Sequence, residues 1–286
     1  MSEVTVIIPT YGRAARLLET IERIMQCEPG PKAIIVHVDQ SDGTVEKSIK
    51  PEFPTVLTLG SSNRLGPGGG RHKCLLHCET EFAASFDDDS WPADPDYFSR
   101  AEKVMRMHSD AAVVAARIWQ RGECEIRHDD RLVVVKSFVG CGHVVRLGAY
   151  REVRGYLPRP VAYGMEETDL ALQLFDRGWQ IYQSGEIRVF HDTELAHHGS
   201  AENTAGSIAN VALFGFLHYP MSYWPRASLQ VANKAVDSLR RGRVAGVLSG
   251  LLSAPGICWN FRRYRAPLAA SRVRAFLQAR KSKKLL

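Results

Sequence analysis

Three consecutive carboxylates, Asp87, Asp88 and Asp89, are the residues of this sequence best suited to chemistry. They follow a run of apolar and small residues at 82–86 that has the composition of a short buried strand. Because adjacent like charges repel, a folded chain keeps such a cluster for a cation or leaves it in solvent. Ligands of open α/β sheets bind outside the carboxyl ends of the strands, which favours a divalent metal here. An acidic surface turn before Pro92 is the alternative interpretation.

The length and composition indicate a globular protein. With 286 residues, 45% of them apolar, the chain can bury one large core, or one domain with a smaller C-terminal appendage. No basic and apolar leader precedes Val4, so we expect a cytoplasmic protein. The six cysteines show no CxxC spacing, and we expect reduced, mostly buried thiols.

Charge is distributed unevenly along the chain. The formal net charge is +6, but the segment from Arg226 to the end carries 14 Lys and Arg against one acid, Asp237. The first 225 residues therefore carry a net charge of −7. An acidic body with a basic tail predicts an anionic partner for the tail.

Strands and helices alternate through the first hundred residues. Apolar runs typical of strands buried on both faces of a sheet occur at 4–8, 34–38, 55–59 and 82–86. Amphipathic spacing, such as that of Leu17 and Ile21, indicates helices between them. The pattern predicts an α/β fold with a Rossmann-like, doubly wound and mostly parallel sheet.

Shorter β segments are predicted after a helix at 97–107, at 112–116 and 132–135. A further helix begins at Glu166 and is terminated by Gly178. Two short strands follow it, and the second ends at His191.

The C-terminal part is predicted to be helical from about Glu202, with interruptions at Pro225 and Pro255. Its apolar run at 244–258 is shorter than the roughly 20 residues that span a bilayer. Arginines flank the run on both sides, which is compatible with a helix in a membrane interface. An ordinary helix hairpin with solvated arginines is the alternative.

Five sequence blocks, in this order and spacing, resemble the family 2 glycosyltransferases of the GT-A fold. The blocks are VTVIIPTY at 4–11, VD with SDGT at 38–44, the segment 63–71, the acidic triplet, and EETDL at 166–170 before Gly-Trp. The resemblance covers roughly the first 200 residues. It implies a GT-A catalytic domain at 1–201, with a donor half at about 1–110 and an acceptor half at about 111–201. A helical, basic region at 202–286 follows.

The resemblance implies a donor and metal site at the triplet. Transfer from a nucleoside-diphosphate sugar requires that the leaving diphosphate be neutralised, the nucleoside held, and the acceptor hydroxyl deprotonated. On the matching positions, Asp87 is expected on the sugar-nucleotide side and Asp89 on Mg²⁺ or Mn²⁺. Asp88 can share either role.

Many members of the family also bind the metal through a histidine after the strand that follows the acidic helix. His191 is the expected ligand, and His197 and His198 are its rivals. A structural histidine is the alternative.

The resemblance also implies a donor-binding surface. Asp39 matches the acid that hydrogen-bonds the donor base in the family, although the loop after it is shorter than usual. Capping by Thr10 and turn formation by Asp39 are the alternative roles, and the glycines at 66–70 fit backbone binding of phosphate or simple flexibility. The expected donor-binding residues are Pro9, Thr10, Tyr11, Arg13, Asp39, Asn63, Gly66, Arg71, Asp87 and Asp88.

The acidic pair Glu166 and Glu167 matches the position of the family's catalytic acids. Glu167 is the expected general base of an inverting reaction, with Glu166 and Asp169 as supporting or alternative carboxylates. The alternative is a helix N-terminal charge that complements the macrodipole, an effect of about 0.3–1 kcal/mol.

The leading hypothesis is an inverting, metal-dependent glycosyltransferase that works at the inner face of the cell membrane on a lipid-linked or polysaccharide acceptor in cell-envelope glycan synthesis. Residues 226–286 are expected to contact a membrane or a second copy of the chain, and no nucleic acid is expected. Trp119, Tyr156 and Tyr163 suit the acceptor side or the core. The alternatives are transfer to a soluble small molecule, a nucleotidyltransferase, and a non-catalytic module that binds anionic surfaces.

Overall fold

The computed structural model describes residues 2–159, 164–193, 200–280 and 284–285. These residues form two compact units. The first comprises Met1–Pro160, Leu170–Thr193 and Lys283–Leu286, and the second comprises Val161–Asp169 and Glu194–Ser282. The predicted boundary after residue 201 stays a prediction.

The first unit is built on one sheet with helices against it. Its strands are β1 (Val4–Thr10), β2 (Ala33–Val38), β3 (Leu57–Gly60), β4 (Phe82–Ser85), β5 (Ser90–Pro92), β6 (Ala111–Gln120), β7 (Leu132–Val135), β8 (His143–Arg146), β9 (Gln180–His191) and β10 (Lys284–Leu285). Its helices are α1 (Ala14–Met25), α2 (Thr44–Glu52), α3 (Gly66–Leu76), α4 (Tyr97–Met107), α5 (Leu147–Arg151) and α6 (Glu166–Asp176), whose first turn falls in the second unit.

The sheet runs in the order β10-β7-β9-β6-β8-β4-β1-β2-β3. Strands β3, β2, β1 and β4 are parallel, so the loops that follow them emerge at one edge. Strand β8 is antiparallel to both β4 and β6, and β9 is parallel to β6. The predicted α/β fold with a central, mostly parallel sheet is confirmed, and the antiparallel pairs extend it beyond β4.

The core of the first unit follows the apolar runs of the sequence. Val4, Val6 and Ile8 of β1 are fully buried, and they share one cluster with Leu17 and Ile21 of α1. The strand is buried along its whole length because helices cover the sheet, which is why its sequence is continuously apolar rather than alternating. Burial of each such side chain contributes roughly 1.5–3 kcal/mol.

Strand β9 is continuous, and the prediction of two short strands in its place was wrong. The polar residues at its middle resemble a break in the sequence, but the strand passes through them: Gln183 pairs with both β6 and β7, and pairing with β6 resumes at Arg188. A register shift accommodates the irregularity, since Ala115 pairs with Gln183 whereas Arg117 pairs with Arg188. The predicted end of α6 is confirmed, since Trp179 and Gly178 donate backbone hydrogen bonds to Leu174 and Phe175.

The second unit contains α7 (Ala201–His218), α8 (Trp224–Arg240), α9 (Val244–Asn260) and α10 (Ala270–Ala279). Helices α7 and α9 approach closely, since a Cβ at Gly246 would lie 2.6 Å from Cβ of Thr204. The predicted interruption at Pro225 is confirmed, whereas α9 continues through Pro255 and that predicted interruption is wrong. Among the described helices, none has the length and apolar character needed to span a membrane.

Candidate active site

The acidic triplet lies in the turn between β4 and β5. The hydroxyl of Ser90 accepts a hydrogen bond from the backbone N–H of Asp87 at 2.8 Å and closes the turn. The turn reverses the chain, so that β5 pairs antiparallel with β9 and Ser90 lies opposite His191. The backbone N–H of Asp192 also donates to the carbonyl of Asp89 at 2.8 Å. Backbone pairing therefore fixes His191 beside the triplet.

The side chains of Asp87, Asp89 and His191 converge at this point. Nε2 of His191 is 3.1 Å from Oδ1 of Asp89 and 3.8 Å from Oδ2 of Asp87. Asp89 and His191 are 6% and 14% exposed, whereas Asp87 is 28% exposed and reaches solvent. On the other side of the imidazole ring, Sγ of the buried Cys141 is 3.6 Å from Nδ1. Asp87, Cys141 and His191 each offer a ligand atom, and these atoms lie within 4.8 Å of one another.

The charges of the site shift the pKa values of its members. Burial alone would raise the pKa of Asp89, but the hydrogen bond from His191 and the charge of Arg13 hold it below its usual value. Burial likewise opposes the charged imidazole, yet hydrogen bonds to Asp89 and Cys141 raise the pKa of His191 to about 11. Burial raises the pKa of Asp88 to about 6. In the absence of a metal ion, the hydrogen bond between Asp89 and His191 thus favours the charged form of each side chain.

Asp88 is turned into the protein. Its Oδ2 accepts a hydrogen bond from the hydroxyl of Thr10 at 2.6 Å, and its backbone carbonyl accepts one from Thr20 at 2.9 Å. Arg13 binds both Asp88 and Asp89, in the second case through Nη1 at 2.9 Å from Oδ2. The side chain of Arg13 is 53% exposed. Asp88 thus ties the end of β1 and the start of α1 to the triplet.

Arg71 reaches the triplet from α3. Its buried guanidinium donates from Nε to the hydroxyl of Ser85 at 2.8 Å and from Nη2 to Oδ1 of Asp87. Ser85 in turn donates to the carbonyl of Gly140 at 3.0 Å. Arg71 therefore orients Asp87 from inside the protein, because its planar guanidinium is itself fixed by the hydrogen bond to Ser85.

Asp39 joins β2 to the glycine-rich helix α3. Its carboxylate accepts hydrogen bonds from the backbone N–H groups of Leu65 at 2.7 Å and Gly66 at 2.9 Å, and from the hydroxyl of Ser61 at 3.2 Å. A carboxylate at this position complements the N-terminal end of a helix. The same loop carries Asn63, whose carbonyl accepts from Ser61 at 3.0 Å. Asp39 thus builds the loop that follows β3.

At the end of β1, the predicted donor-binding residues Pro9 and Thr10 are buried, and Tyr11 is exposed. Pro9 is buried opposite His37. Tyr11 is 55% exposed, and the guanidinium of Arg64 lies 5.4 Å from its ring centroid. An exposed aromatic ring with a neighbouring cation offers a stacking surface at the carboxyl edge of the sheet.

Sequence reasoning missed four residues around His191. Asp192 is buried and binds Arg16 at 2.6 Å, and Arg121 binds it through two nitrogens. Cys141 was expected only as a buried thiol, and burial raises the pKa of that thiol. The adjacency of Asp192 to His191 was the one signal available in the sequence.

The acidic pair belongs to the second unit, at the start of α6. Glu166 is buried and Glu167 is half-buried. Asp169 is also buried, and its Oδ1 lies 2.8 Å from Nε2 of His218 on α7. Charge in this first turn suits the helix N-terminus. Asp169 is thereby tied to a buried histidine.

The remaining expected residues fall in the core or outside the described residues. Trp119 and Tyr156 are buried, and the ring of Trp119 lies 5.8 Å from that of Phe190, as in core packing; their acceptor-side role stays a prediction. His197, His198 and Tyr163 lie outside the described residues.

Solved structures with the same fold include three glycosyltransferases. A crystal structure of GalNAc-T7 with UDP, GalNAc and Mn²⁺ has a TM-score of 0.59 at 12% identity, over 74% of this chain and 48% of that chain. The mannosyltransferase PcManGT from Pyrobaculum calidifontis, in complex with GDP-Man and Mn²⁺, has a TM-score of 0.58 at 15% identity, over 98% of this chain and 86% of that chain. TarS 1–349 of S. aureus, in complex with UDP-GlcNAc, has a TM-score of 0.57 at 14% identity, over 92% of each chain.

These likenesses show the GT-A fold. The chain spans about half the length of the GalNAc-T7 chain that it matches. A search of curated protein sequences found no match. The family model described as glycosyl transferase family 2 matches residues 5–155.

Proposed function

The chain belongs to glycosyl transferase family 2, and from this premise we propose that it transfers a sugar from a nucleoside-diphosphate sugar to an acceptor hydroxyl with inversion. The observation that carries the proposal is the convergence of Asp87, Asp89 and His191 at the carboxyl edge of the parallel strands. Two carboxylates that each lie within 4 Å of one imidazole nitrogen form a donor set suited to a divalent ion beside a diphosphate.

The residues present fit Mg²⁺ or Mn²⁺. Asp89 and His191 would hold the ion, with Asp87 toward the sugar nucleotide. The Mn²⁺ in the GalNAc-T7 and PcManGT structures supports this choice. When bound, the ion neutralises the charge that develops on the leaving diphosphate. Arg71 keeps Asp87 oriented, and the β5–β9 pairing keeps His191 in reach.

The donor is proposed to lie along the loops after β1, β2 and β3. Tyr11 with Arg64 offers a stacking surface for a base. Asp39 is proposed to contact the donor base through its carboxylate, which the backbone N–H groups of Leu65 and Gly66 hold in place. Arg13, half-exposed beside Asp88 and Asp89, is positioned to bind an anionic diphosphate.

Glu167 is the proposed general base. A carboxylate that removes the proton as the acceptor oxygen attacks contributes about 10²–10⁴-fold in rate. A single displacement, with attack opposite the leaving diphosphate, inverts the anomeric carbon. Asp169 is bound to His218, which suits a supporting role for it, and Glu166 is proposed as a second supporting carboxylate.

The acceptor is proposed to be lipid-linked or a growing polysaccharide of the cell envelope, reached at the inner face of the cell membrane. Helix α9 supports this part of the proposal. It packs against α7 through Gly246 and Gly250 and leaves a stripe of apolar side chains exposed. The stripe consists of Val244, Leu248, Leu251, Leu252 and Trp259, with Arg240, Arg241, Arg262 and Arg263 at its ends. Apolar side chains between arginines suit an anionic lipid surface.

A turnover assay tests the proposal. The protein is incubated with Mn²⁺ and a panel of nucleotide sugars, and release of nucleoside diphosphate is measured for wild type and Asp89→Asn. We expect release from at least one donor by the wild type, reduced at least about 100-fold in the variant. NMR of the initial product then reports the anomeric configuration. Release of pyrophosphate from a nucleoside triphosphate, without release from any nucleotide sugar, would contradict glycosyl transfer.

A further inference from the structure

We infer that Cys141 is a positioning residue of the metal site, whose sulfur holds Nδ1 of His191 so that Nε2 faces Asp87 and Asp89. The inference rests on the proposed function, because it concerns the metal of that same site. It adds a thiol to a site otherwise built from carboxylates and an imidazole.

The two nitrogens of the His191 imidazole ring have different neighbours. Sγ of Cys141 is 3.6 Å from Nδ1, within the range of a hydrogen bond to sulfur, and Nε2 is 3.1 Å from Asp89 Oδ1. The two ring nitrogens thus have different partners, a thiol on one side and carboxylates on the other. Because the ring is rigid, holding one nitrogen sets the direction of the other.

Metal binding by histidine requires a particular proton arrangement on the ring, and the contact between Cys141 and Nδ1 of His191 bears on it. A histidine binds a metal through a nitrogen that carries no proton, so the other nitrogen keeps its N–H. Histidine ligands nearly always donate that N–H to a carboxylate, a backbone carbonyl or water. At His191 the partner within reach of Nδ1 is the sulfur of Cys141. As the acceptor of the Nδ1–H, the sulfur would favour the ring form that leaves Nε2 available to the ion.

The thiol is held firmly enough to act in this way. Gly142 donates from its backbone N–H to the carbonyl of Ser85 and accepts from Ala116, both at 2.7 Å, so residue 141 is fixed between β4 and β6. A Cβ at Gly142 would lie 2.9 Å from Cγ2 of Val189, two residues before His191 on β9. Cys141 itself is fully buried. The backbone on one side of the thiol is therefore held by hydrogen bonds, and the thiol itself is shielded from solvent.

Direct ligation by the thiol is the competing arrangement. The ligand atoms of Asp87, Cys141 and His191 lie within 4.8 Å of one another, so an ion could in principle bind sulfur as well. The position of Sγ beside Nδ1, on the other side of the ring from Asp89, favours the positioning role. The two arrangements differ in whether sulfur touches the ion, which is measurable.

Metal affinity tests the inference without any turnover. Mn²⁺ dissociation constants are measured from the electron paramagnetic resonance signal of free Mn²⁺ for wild type, Cys141→Ala and Cys141→Ser. The control is Cys78→Ala, which removes another buried thiol, one whose Sγ donates to the carbonyl of Cys74 in α3. We expect Cys141→Ala to bind Mn²⁺ about 10–100-fold more weakly. Cys141→Ser is expected to recover part of the loss, because its hydroxyl can accept from Nδ1, and Cys78→Ala is expected to bind as wild type.

The outcomes separate the inference from the function on which it rests. Equal Mn²⁺ affinity in wild type and Cys141→Ala overturns the inference and leaves the metal site standing. An equal loss in Cys78→Ala overturns it too, because the effect is then one of core packing. A wild type that binds no Mn²⁺ overturns the proposed metal site together with the inference.

A cobalt spectrum decides between positioning and ligation. Co²⁺ bound to a thiolate gives an intense sulfur-to-metal charge-transfer band, which oxygen and nitrogen ligands do not give. We expect Co²⁺ to bind the wild-type protein without that band. A band in the wild type that is lost in Cys141→Ser would make Cys141 a ligand and overturn the positioning role.

Discussion

Asp89 and His191 lie side by side, with Oδ1 of one 3.1 Å from Nε2 of the other, although 102 positions separate them in the sequence. The short strand β5 brings this about, because Ser90 pairs opposite His191 and Asp192 donates to the carbonyl of Asp89. Backbone pairing sets the proximity. Side-chain variants at this point are therefore expected to change binding more than folding.

Replacement of Arg71 is expected to destabilise the protein even when the new residue is lysine. Arg71→Lys keeps the charge but replaces the two separate donor nitrogens, Nε and Nη2, with a single nitrogen on a flexible stem, so it is not expected to reproduce both hydrogen bonds. The loss of a charged hydrogen bond in the core is expected to lower the free energy of unfolding by about 1.5–3 kcal/mol, measured by urea denaturation. The exposed Arg23→Lys is the control, with no more than about 0.5 kcal/mol expected. An unchanged free energy of unfolding in Arg71→Lys would contradict the role of Arg71 as a donor to both Ser85 and Asp87.

Glu167→Gln is expected to separate catalysis from donor binding. The amide cannot accept a proton, so transfer is expected to fall by about 10²–10⁴-fold. Stabilisation of the protein by nucleotide and Mn²⁺ is expected to remain, because the donor site lies at the triplet. Glu202→Gln is the matched control, since Glu202 also lies in the first turn of a helix. Transfer that survives in Glu167→Gln would remove this residue from the role of base.

The ion pair of Asp94 and Arg188 predicts a pH dependence of stability. Burial favours neutral Asp94, but two hydrogen bonds from Arg188 outweigh it and hold the pKa of Asp94 below its usual value. A lowered pKa means that the stabilisation is present above the pKa of the unfolded state and is lost as the pH falls through the folded value. Asp94→Asn is therefore expected to cost about 1.5–3 kcal/mol near neutral pH.

That difference is expected to begin to shrink below about pH 4, where Asp94 of the unfolded state becomes protonated, and to disappear at lower pH once Asp94 of the folded protein is protonated as well. Urea denaturation of both proteins at several pH values measures it. A difference that stays constant down to the lowest accessible pH would contradict the ion-pair account.

The exposed stripe of α9 predicts binding to anionic vesicles. Wild type is expected to sediment with vesicles that contain phosphatidylglycerol, less so at high salt, because arginines flank the stripe. The double variant Leu248→Glu, Leu252→Glu is expected to bind at least about 10-fold more weakly, since a leucine contributes roughly 1.5–3 kcal/mol when buried. Met107→Glu, at an exposed apolar position of the first unit, is the control. Equal sedimentation of the double variant would exclude α9 as the contact.

Local pattern predicted the scaffold of the site well. The apolar run before Asp87 is a buried strand, and the spacing of Leu17 and Ile21 is the buried face of α1. Period and turn chemistry are local properties, so a sequence can reveal them. The β9 prediction failed because the strand is held by pairing with β6 on both sides of its polar centre and with β7 up to Ser184, and these contacts come from residues distant in the chain.

The partners within the site could be predicted only in part. His191 was identified through the family resemblance, and the structure brings it to Asp89. Cys141 and Asp192 were missed, because a buried thiol and a lone acid have no local signal and gain their meaning from contacts across the sheet. Asp39 was expected to contact a donor base, and its hydrogen bonds to the loop before α3 are visible only in three dimensions.

Thermal stabilisation by nucleotides is the most direct test of a metal-dependent donor site at the triplet. Melting temperatures are measured with UDP, GDP, dTDP and CMP, each with and without Mn²⁺, for wild type and Asp89→Asn. We predict that one nucleotide stabilises the wild type only when Mn²⁺ is present, and that Asp89→Asn loses the effect. Wild-type protein that no nucleotide stabilises under any metal condition, or equal stabilisation of Asp89→Asn, would contradict the account.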